Sequence, residues 1–576
     1  MSNEAVAQQL RELADLSEFV GDSPFKSRAY RQAAQVLESL QTPIESLAED
    51  GKEALEAIPG IGKAIAEKIL AYLQTGTIPK RERLLQSVPK GILEVMAVPG
   101  IGAKTARLLY DQLGVHDLES LRNALLSGAI DRLPHFGAHK RERLLRLIEL
   151  KYKSQQRTPL GFALSRGREL LHQLEQLEGV QQVLLGGSVR RMQEDVGDLD
   201  FLVASHQPEQ VIRAFAQLEA IGALYSQGVR RAQAFLADGM QVDLKVVPPE
   251  RWGAGMLSIT GSEAHLTRLR QRAQARSLKL NEYGIWRGTE CIAADTEEAV
   301  YATLGLCWIP PTLREDTGEI EAAEQGQLPT LVQLSNVRGD LQSHSTWSDG
   351  LNSLEELAKA AQALGYEYLA ITDHAHMFGD HSDPMTAFEQ RRRAIEQINE
   401  RTGGRPYLIN ALEVNVLANG SLLAPEAMLR AAELVLAGVH SEHGLPPQQM
   451  TERLLRVLEH PAVDILAHPT GRRYGKRPAS NADWERVFER ARALGKAVEI
   501  NGYPTRMDPP TPITRLLVQS GAWISLGTDA HTTHDLYAME LAVGLAQRGW
   551  ATPERVLNTR PLPALLEWLR ERRRFG

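Results

Sequence analysis

The stretch LLGGSVRRMQEDVGDLDFLVAS, residues 184–205, decides how the first half of the chain is read. Asp198 and Asp200 stand at i and i+2 among apolar residues. On a strand, that spacing sends both carboxylates out of one face, about 7 Å apart along the backbone, while Leu199 and Phe201 point into the core. A second strand-like run, QVDLKVV, holds Asp243 between Val242 and Leu244. If the two strands are neighbours, three carboxylates meet. They repel unless cations separate them, and two divalent ions held there form a site for in-line phosphoryl transfer. Just upstream, Gly186-Gly187-Ser188 ends one strand and opens a helix, a seat for a triphosphate, with Arg191 as a charged donor. The alternative is a strand edge with solvated acids.

Outward from this segment, residues 1–150 read as helices separated by Pro/Gly turns. AIPGIGKAIAEKI (57–69) and AVPGIGAKTARLL (97–109) repeat one unit, and RLPHFGAHKRERLL (132–145) is a weaker third copy. Gly60, Gly62, Gly100 and Gly102 leave backbone N–H groups uncovered at helix starts, and Lys63 and Lys104 add charge, so each turn suits a DNA phosphate. Lys68 lies on the helix after the first turn. A lysine attacks aldehydes when its pKa falls, but alone it reads as a surface residue.

From residue 338 onward, short apolar strands alternate with helical stretches, as in a barrel or an open α/β sheet. Histidines and carboxylates gather where those strands end, in DLQSHSTWSDG (340–350), AITDHAHMFGDH (370–381), ALEVNV (411–416), AGVHSEHG (437–444), ILAHPTGR (465–472) and LGTDAH (526–531). Mixed N/O ligation suits Zn²⁺, Mn²⁺ or Fe. Between the halves, residues 316–335 are acidic and poor in aromatics, the pattern of an exposed connector.

The 576 residues suggest about three to five domains. No apolar run approaches the ~20 residues needed to cross a bilayer, so no membrane partner is expected. Two cysteines speak against a disulfide framework and fit a cytoplasmic location. The net charge of −7 divides as −1 over 1–150, 0 over 151–315 and −6 over 316–576. DNA contact must then come from local basic stripes, not from a global field.

These motifs together resemble family X DNA polymerases of the bacterial type, and the resemblance covers nearly the whole chain. It implies a multidomain α+β and α/β fold. The expected parts are a lyase-like helical domain (1–80), a helix-hairpin-helix fingers-type domain (81–152), a mixed-sheet nucleotidyltransferase palm (153–250), a thumb-type subdomain (251–315), a linker (316–335) and a PHP phosphoesterase domain (336–576). It makes Asp198, Asp200 and Asp243 ligands of Mg²⁺ or Mn²⁺. Gly187, Ser188, Arg191, Gly261 and Ser262 become nucleotide contacts, Lys68 a Schiff-base lysine and Lys26 a DNA-phosphate contact. Where the family shows Tyr-Phe-Thr-Gly-Ser, this chain has Ser258-Ile259-Thr260-Gly261-Ser262, and Leu266 stands where an asparagine contacts the incoming base.

The last region resembles a PHP domain, a distorted (β/α)7 barrel with up to three ions, Mn²⁺ or Zn²⁺. The resemblance assigns one metal to His344, Glu413 and Asp529, a second to Glu413, His440 and His468, and a third to Asp349, His374 and His531. Gln342 replaces a histidine ligand; its amide oxygen coordinates more weakly, which implies a looser or Mn²⁺-preferring first site. Arg472, Arg473, Lys476 and Arg477 are placed to guide a DNA strand.

The implied function is gap-filling DNA synthesis in base-excision repair with 3′–5′ exonuclease activity. The partners are gapped, nicked or primer-template DNA and deoxynucleoside triphosphates, and the expected state is a monomer at the bacterial nucleoid. Rival readings are a PHP-type nuclease with a degenerate polymerase half, a non-catalytic DNA-end scaffold, and a small-molecule phosphatase. The last leaves the hairpin turns without a use.

Overall fold

The computed structural model describes residues 3–134, 136–380 and 383–574; His135 of the weak third repeat and His381 lie outside them. The chain forms two compact units. The first takes in residues 1–326 apart from 159–164 and 191–195, and the second takes in those two short pieces and 327–576. No described helix is long and apolar enough to cross a membrane.

The first unit opens with helices whose apolar faces build two small cores. One gathers Val6, Leu10, Leu37, Ile61, Ile65 and Ile69, and the other Ile92, Val95, Ile101, Leu109, Leu121 and Ile148. The repeated turns work alike. Ile61 and Ile101 are buried as anchors, while Gly62 and Gly102 stand exposed at the N-caps of Lys63–Thr75 and Ala103–Leu113. Gly60 and Gly100 have φ of +94° and +91°, a conformation that favours glycine. In the third copy Phe136 takes the place of the isoleucine and Gly137 caps Ala138–Ser154.

A five-stranded mixed sheet follows: β1 (Gln182–Leu185), β2 (Asp198–Ala204), β3 (Ile221–Gln227), β4 (Arg231–Leu236) and β5 (Gln241–Val247), in the order β1-β2-β5-β4-β3. Strands β2 and β5 are parallel neighbours, with Asp200 directly opposite Asp243. Their inward residues, Leu199, Phe201, Val242 and Leu244, are buried, as period-two alternation requires. A three-stranded antiparallel sheet (279–293) with flanking helices completes the unit.

In the second unit seven parallel strands run in sequence order: β6 (Gly339–Ser343), β7 (Tyr368–Ile371), β8 (Tyr407–Asn415), β9 (Leu434–Gly438), β10 (Ile465–Ala467), β11 (Ala497–Asn501) and β12 (Trp523–Gly527). A parallel bridge from Ser343 to Ala530 brings the two edges together, so the sheet is a nearly closed (β/α)7 barrel.

The expected exposed connector is corrected in part. Glu319–Glu324 is helical with Ile320 and Ala323 buried, because Glu319 accepts from His265 at 2.7 Å inside the first unit. In the second unit Leu331 and Val332 are buried, and the Val332 N–H donates to Ala551 O.

Candidate active sites

The strand pairing delivers the acidic trio. Asp198, Asp200 and Asp243 each present a carboxylate oxygen, all within 4.8 Å of one another. Asp200 and Asp243 open on a cleft of about 660 Å³ that is also lined by Arg230, Lys245, Ile259 and Tyr283. Helix Asn3–Phe19 supplies its other wall, with Glu4 at 3.2 Å from Lys245. Three half-exposed carboxylates this close fit divalent cations, which would supply charge neutralisation and lower the pKa of a bound hydroxyl.

The Gly-Gly-Ser turn sits against this trio. The Gly186 N–H donates to Asp200 O at 2.7 Å, and Gly187 has φ +56° with no room for a side chain on the Asp200 side. Ser188 Oγ is buried and makes no hydrogen bond. Arg190 is held by Thr260 Oγ1 (2.7 Å) and by both oxygens of Glu297 (2.9 and 3.0 Å). Arg191 follows directly in the chain. Burial pushes the Glu297 carboxyl up, but Arg314 and Arg190 outweigh it and hold it at about 2.

The Ser258–Ser262 segment ends helix Trp252–Thr260. Ser262 Oγ caps the next helix by accepting from His265 N (3.1 Å), and buried Leu266 packs over Gly261. Lys68 joins Phe25, Lys26, Tyr30, Lys63 and Lys80 around a cavity of about 750 Å³. The ammonium groups of Lys68 and Lys80 lie 5.6 and 5.8 Å from the Tyr30 ring centre, and Lys68 Nζ donates to Ala64 O.

At the C-terminal ends of the barrel strands a second centre converges on Glu413. His440 Nε2 and His468 Nε2 lie 3.0 and 2.8 Å from its Oε1, and His344 Nε2 lies 3.3 Å from its Oε2. His344 Nε2 is also 3.2 Å from Asp529. Three groups have ligand atoms within 4.8 Å of one another: His344, Glu413 and Asp529; His374, Glu413 and His440; and His344, Asp349, His374 and His531. The first is the expected set. In the second His374 stands where His468 was expected, and in the third His344 joins.

Backbone carbonyls orient two of the imidazoles. His440 Nδ1 faces Gly438 O (3.2 Å) and His531 Nδ1 faces Asp529 O (2.7 Å), which leaves each Nε2 for the centre. His344 has both ring nitrogens buried without a hydrogen bond, as does Nδ1 of His374, and orphans of this kind fit metal ligation. His468 and Asp529 hold positive φ, +27° and +55°, where strain gathers at functional positions. Burial pushes the His374 imidazole down to about 4, against the pull of Glu413. Burial works against the Glu413 carboxylate, yet His374, His440 and His344 hold it well below the usual range.

Gln342 is buried beside this centre. As placed, its Nε2 donates to Glu413 (3.0 Å) and its Oε1 accepts from Asn501 (3.2 Å), so ligation through oxygen requires an amide flip. Sequence reasoning missed Arg506, a buried guanidinium 2.9 Å from Asp529, and Asp373, which accepts from Ser345, Ser348 and Arg391 and so fixes the loop after β6. Asp373 lies inside the AITDHAHMFGDH segment, whereas Arg506 lies outside every segment singled out. Of the four cations expected to guide DNA, Arg472 is spent on the carbonyls of Arg506 (3.0 Å) and Met507, a structural staple. Arg473 and Arg477 are half-buried close to Arg506.

Family models match in four places: a helix-hairpin-helix domain (1–78), a SAM-like helix-hairpin-helix tandem (92–145), a DNA polymerase beta thumb (255–315) and a PHP domain (340–434). The chain is 32% identical over 568 residues to the DNA polymerase/3′-5′ exonuclease PolX of Bacillus subtilis, covering 98% of each. It is 27% identical over 325 residues to DNA polymerase lambda of Arabidopsis thaliana, half of this chain and 57% of that one. It is 26% identical over 240 residues to a probable phosphatase of Syntrophotalea carbinolica, covering 40% of this chain and 95% of that protein.

Proposed function

Since the chain belongs to the family X DNA polymerases that carry a PHP domain, we propose that it is a gap-filling repair polymerase that also trims 3′ ends, with one metal centre for each task. In the first unit Asp198, Asp200 and Asp243 hold Mg²⁺ or Mn²⁺. Ser188 Oγ meets the triphosphate of the incoming deoxynucleotide, and the hairpin turns with Lys63 and Lys104 grip backbone phosphates on either side of a gap or nick. The observation that carries this reading is the register pair Asp200–Asp243, which lines a cleft and brings two acids together with Asp198.

In the second unit the Glu413 cluster holds Mn²⁺ or Zn²⁺, which when bound supply a nucleophilic hydroxide. Arg473, Arg477 and Arg506 take the charge of the phosphate being released. Lys68 serves a 5′-deoxyribose-phosphate lyase step, with Lys26 and Lys80 receiving the phosphate. The protein works as a monomer at the nucleoid.

Filling of a one-nucleotide gap tests the reading. Wild type extends the primer with Mg²⁺ or Mn²⁺, and Asp243→Ala does not. Buried Leu266 favours a second reading, a nuclease whose polymerase half has decayed. Wild-type 3′ digestion without any extension selects it. Borohydride trapping of a 5′-deoxyribose-phosphate end tests the lyase, since Lys68→Ala must lose the adduct.

A further inference from the structure

Among the described residues, the three most exposed large apolar side chains are Phe25 (77%), Leu351 (75%) and Tyr537 (63%). Single exposed apolar residues are ordinary on a protein surface. These three are not scattered: Phe25 lines the lysine-rich cavity, and the other two lie on the loops that carry Asp349 and His531. Leu351 lies two residues beyond Asp349 on the loop after β6, and Tyr537 lies six beyond His531 in the 3-10 turn Thr533–Ala538 after β12. The two loops are tied together. The Leu351 N–H donates to His531 O at 2.8 Å, and the Thr533 N–H donates to Asn352 Oδ1 at 2.9 Å. The fold therefore holds an aliphatic and an aromatic side chain in water on two tied loops that carry ligands of one centre.

We propose that Leu351 and Tyr537 form the nucleobase seat of the 3′-trimming centre, taking the terminal base of the strand whose phosphate lies over the Glu413 cluster. This rests on the exonuclease reading above. A strand drawn across those ligands must place its terminal base against the rim. Arg473 and Arg477 near Arg506 offer charge to its backbone, while Leu351 and Tyr537 offer no charge and a flat ring. Charge along the phosphates with an aromatic under the bases is how proteins hold single strands without reading sequence, because every base has a π face. The seat makes trimming depend on the presence of a base, whichever base it is.

The full-length protein is given two labelled oligonucleotides that differ only in the 3′-terminal residue, thymidine in one and an abasic tetrahydrofuran in the other. Loss of one stacked base predicts a KM about tenfold higher for the abasic end with wild type. In Leu351→Ala/Tyr537→Ala the two KM values converge, and a 3′-terminal 2-aminopurine loses the fluorescence quenching that wild type gives before turnover in stopped flow. Both side chains are exposed, so the melting temperature of the double variant stays near that of wild type. A KM ratio unchanged by the double substitution, or a wild-type ratio of one, overturns the proposal while leaving the exonuclease reading intact. Wild type that trims neither end defeats the exonuclease reading and the seat with it.

Discussion

Gly187→Ala separates the fold from the chemistry of the polymerase centre. Gly187 has φ +56°, and a Cβ added there would lie 2.8 Å from Asp200 Cγ and 3.0 Å from Asp200 Cβ. The backbone cost for alanine in that conformation is about 1 kcal/mol. In a unit of this size it moves the melting temperature by no more than roughly 3 °C. The close contact is relieved by swinging the Asp200 carboxylate away, since a side chain yields more readily than a strand. That displacement, on the order of 1 Å, moves one of three metal-binding oxygens, and misplacement on this scale costs about 10²-fold in rate. The assay is single-turnover filling of a one-nucleotide gap, with 3′ digestion by the same preparation as the folding control. Gly197→Ala serves for comparison, because a Cβ there meets nothing within 4 Å and should leave extension within a few-fold of wild type. Gly187→Ala that fills the gap within threefold of the wild-type rate would refute the idea that crowding at this glycine sets the position of Asp200.

Gln342→His supplies the missing imidazole beside Glu413 and should tighten manganese binding roughly tenfold by calorimetric titration, with an unchanged isotherm as the contrary result. Glu297 gives an acid-stability signature. Its carboxyl is held at about 2 in the fold against an ordinary 4.5, so its contribution is complete above pH 4.5 and is lost as the pH falls toward 2. The shift corresponds to about 3 kcal/mol, and Glu297→Gln should flatten the fall of the urea midpoint between pH 5 and 3. If wild type and Glu297→Gln lose stability in parallel over that range, the Arg314–Glu297–Arg190 cluster is not the source.

Much of this arrangement could be read before any coordinates because its signals are local. The Asp198–Asp200 alternation follows from the two-residue period of a strand, and parallel pairing with the strand of Asp243 needed only that the two be neighbours. The barrel ligands announce themselves because they gather within or just after the ends of apolar strands. What escaped was set by partners far away in sequence. Arg190 and Arg191 look equivalent in the motif, yet Glu297, more than a hundred residues on, takes Arg190. Arg472 looks like a free cation until the carbonyls of Arg506 and Met507 claim it. The acidic residues near 319 suggest solvent, but His265 draws Glu319 inside. Gln342 was legible as a departure from a histidine, whereas its bond to Glu413 through nitrogen was not.

The central claim is that two clusters of acidic and imidazole side chains run two separate reactions on one DNA strand. A single gapped duplex with a 5′-labelled primer tests it, because extension and shortening are read on the same gel. The account predicts that Asp200→Ala abolishes lengthening and still shortens the primer, and that His374→Ala lengthens it without shortening. Loss of both reactions in either variant, or of neither, would contradict it.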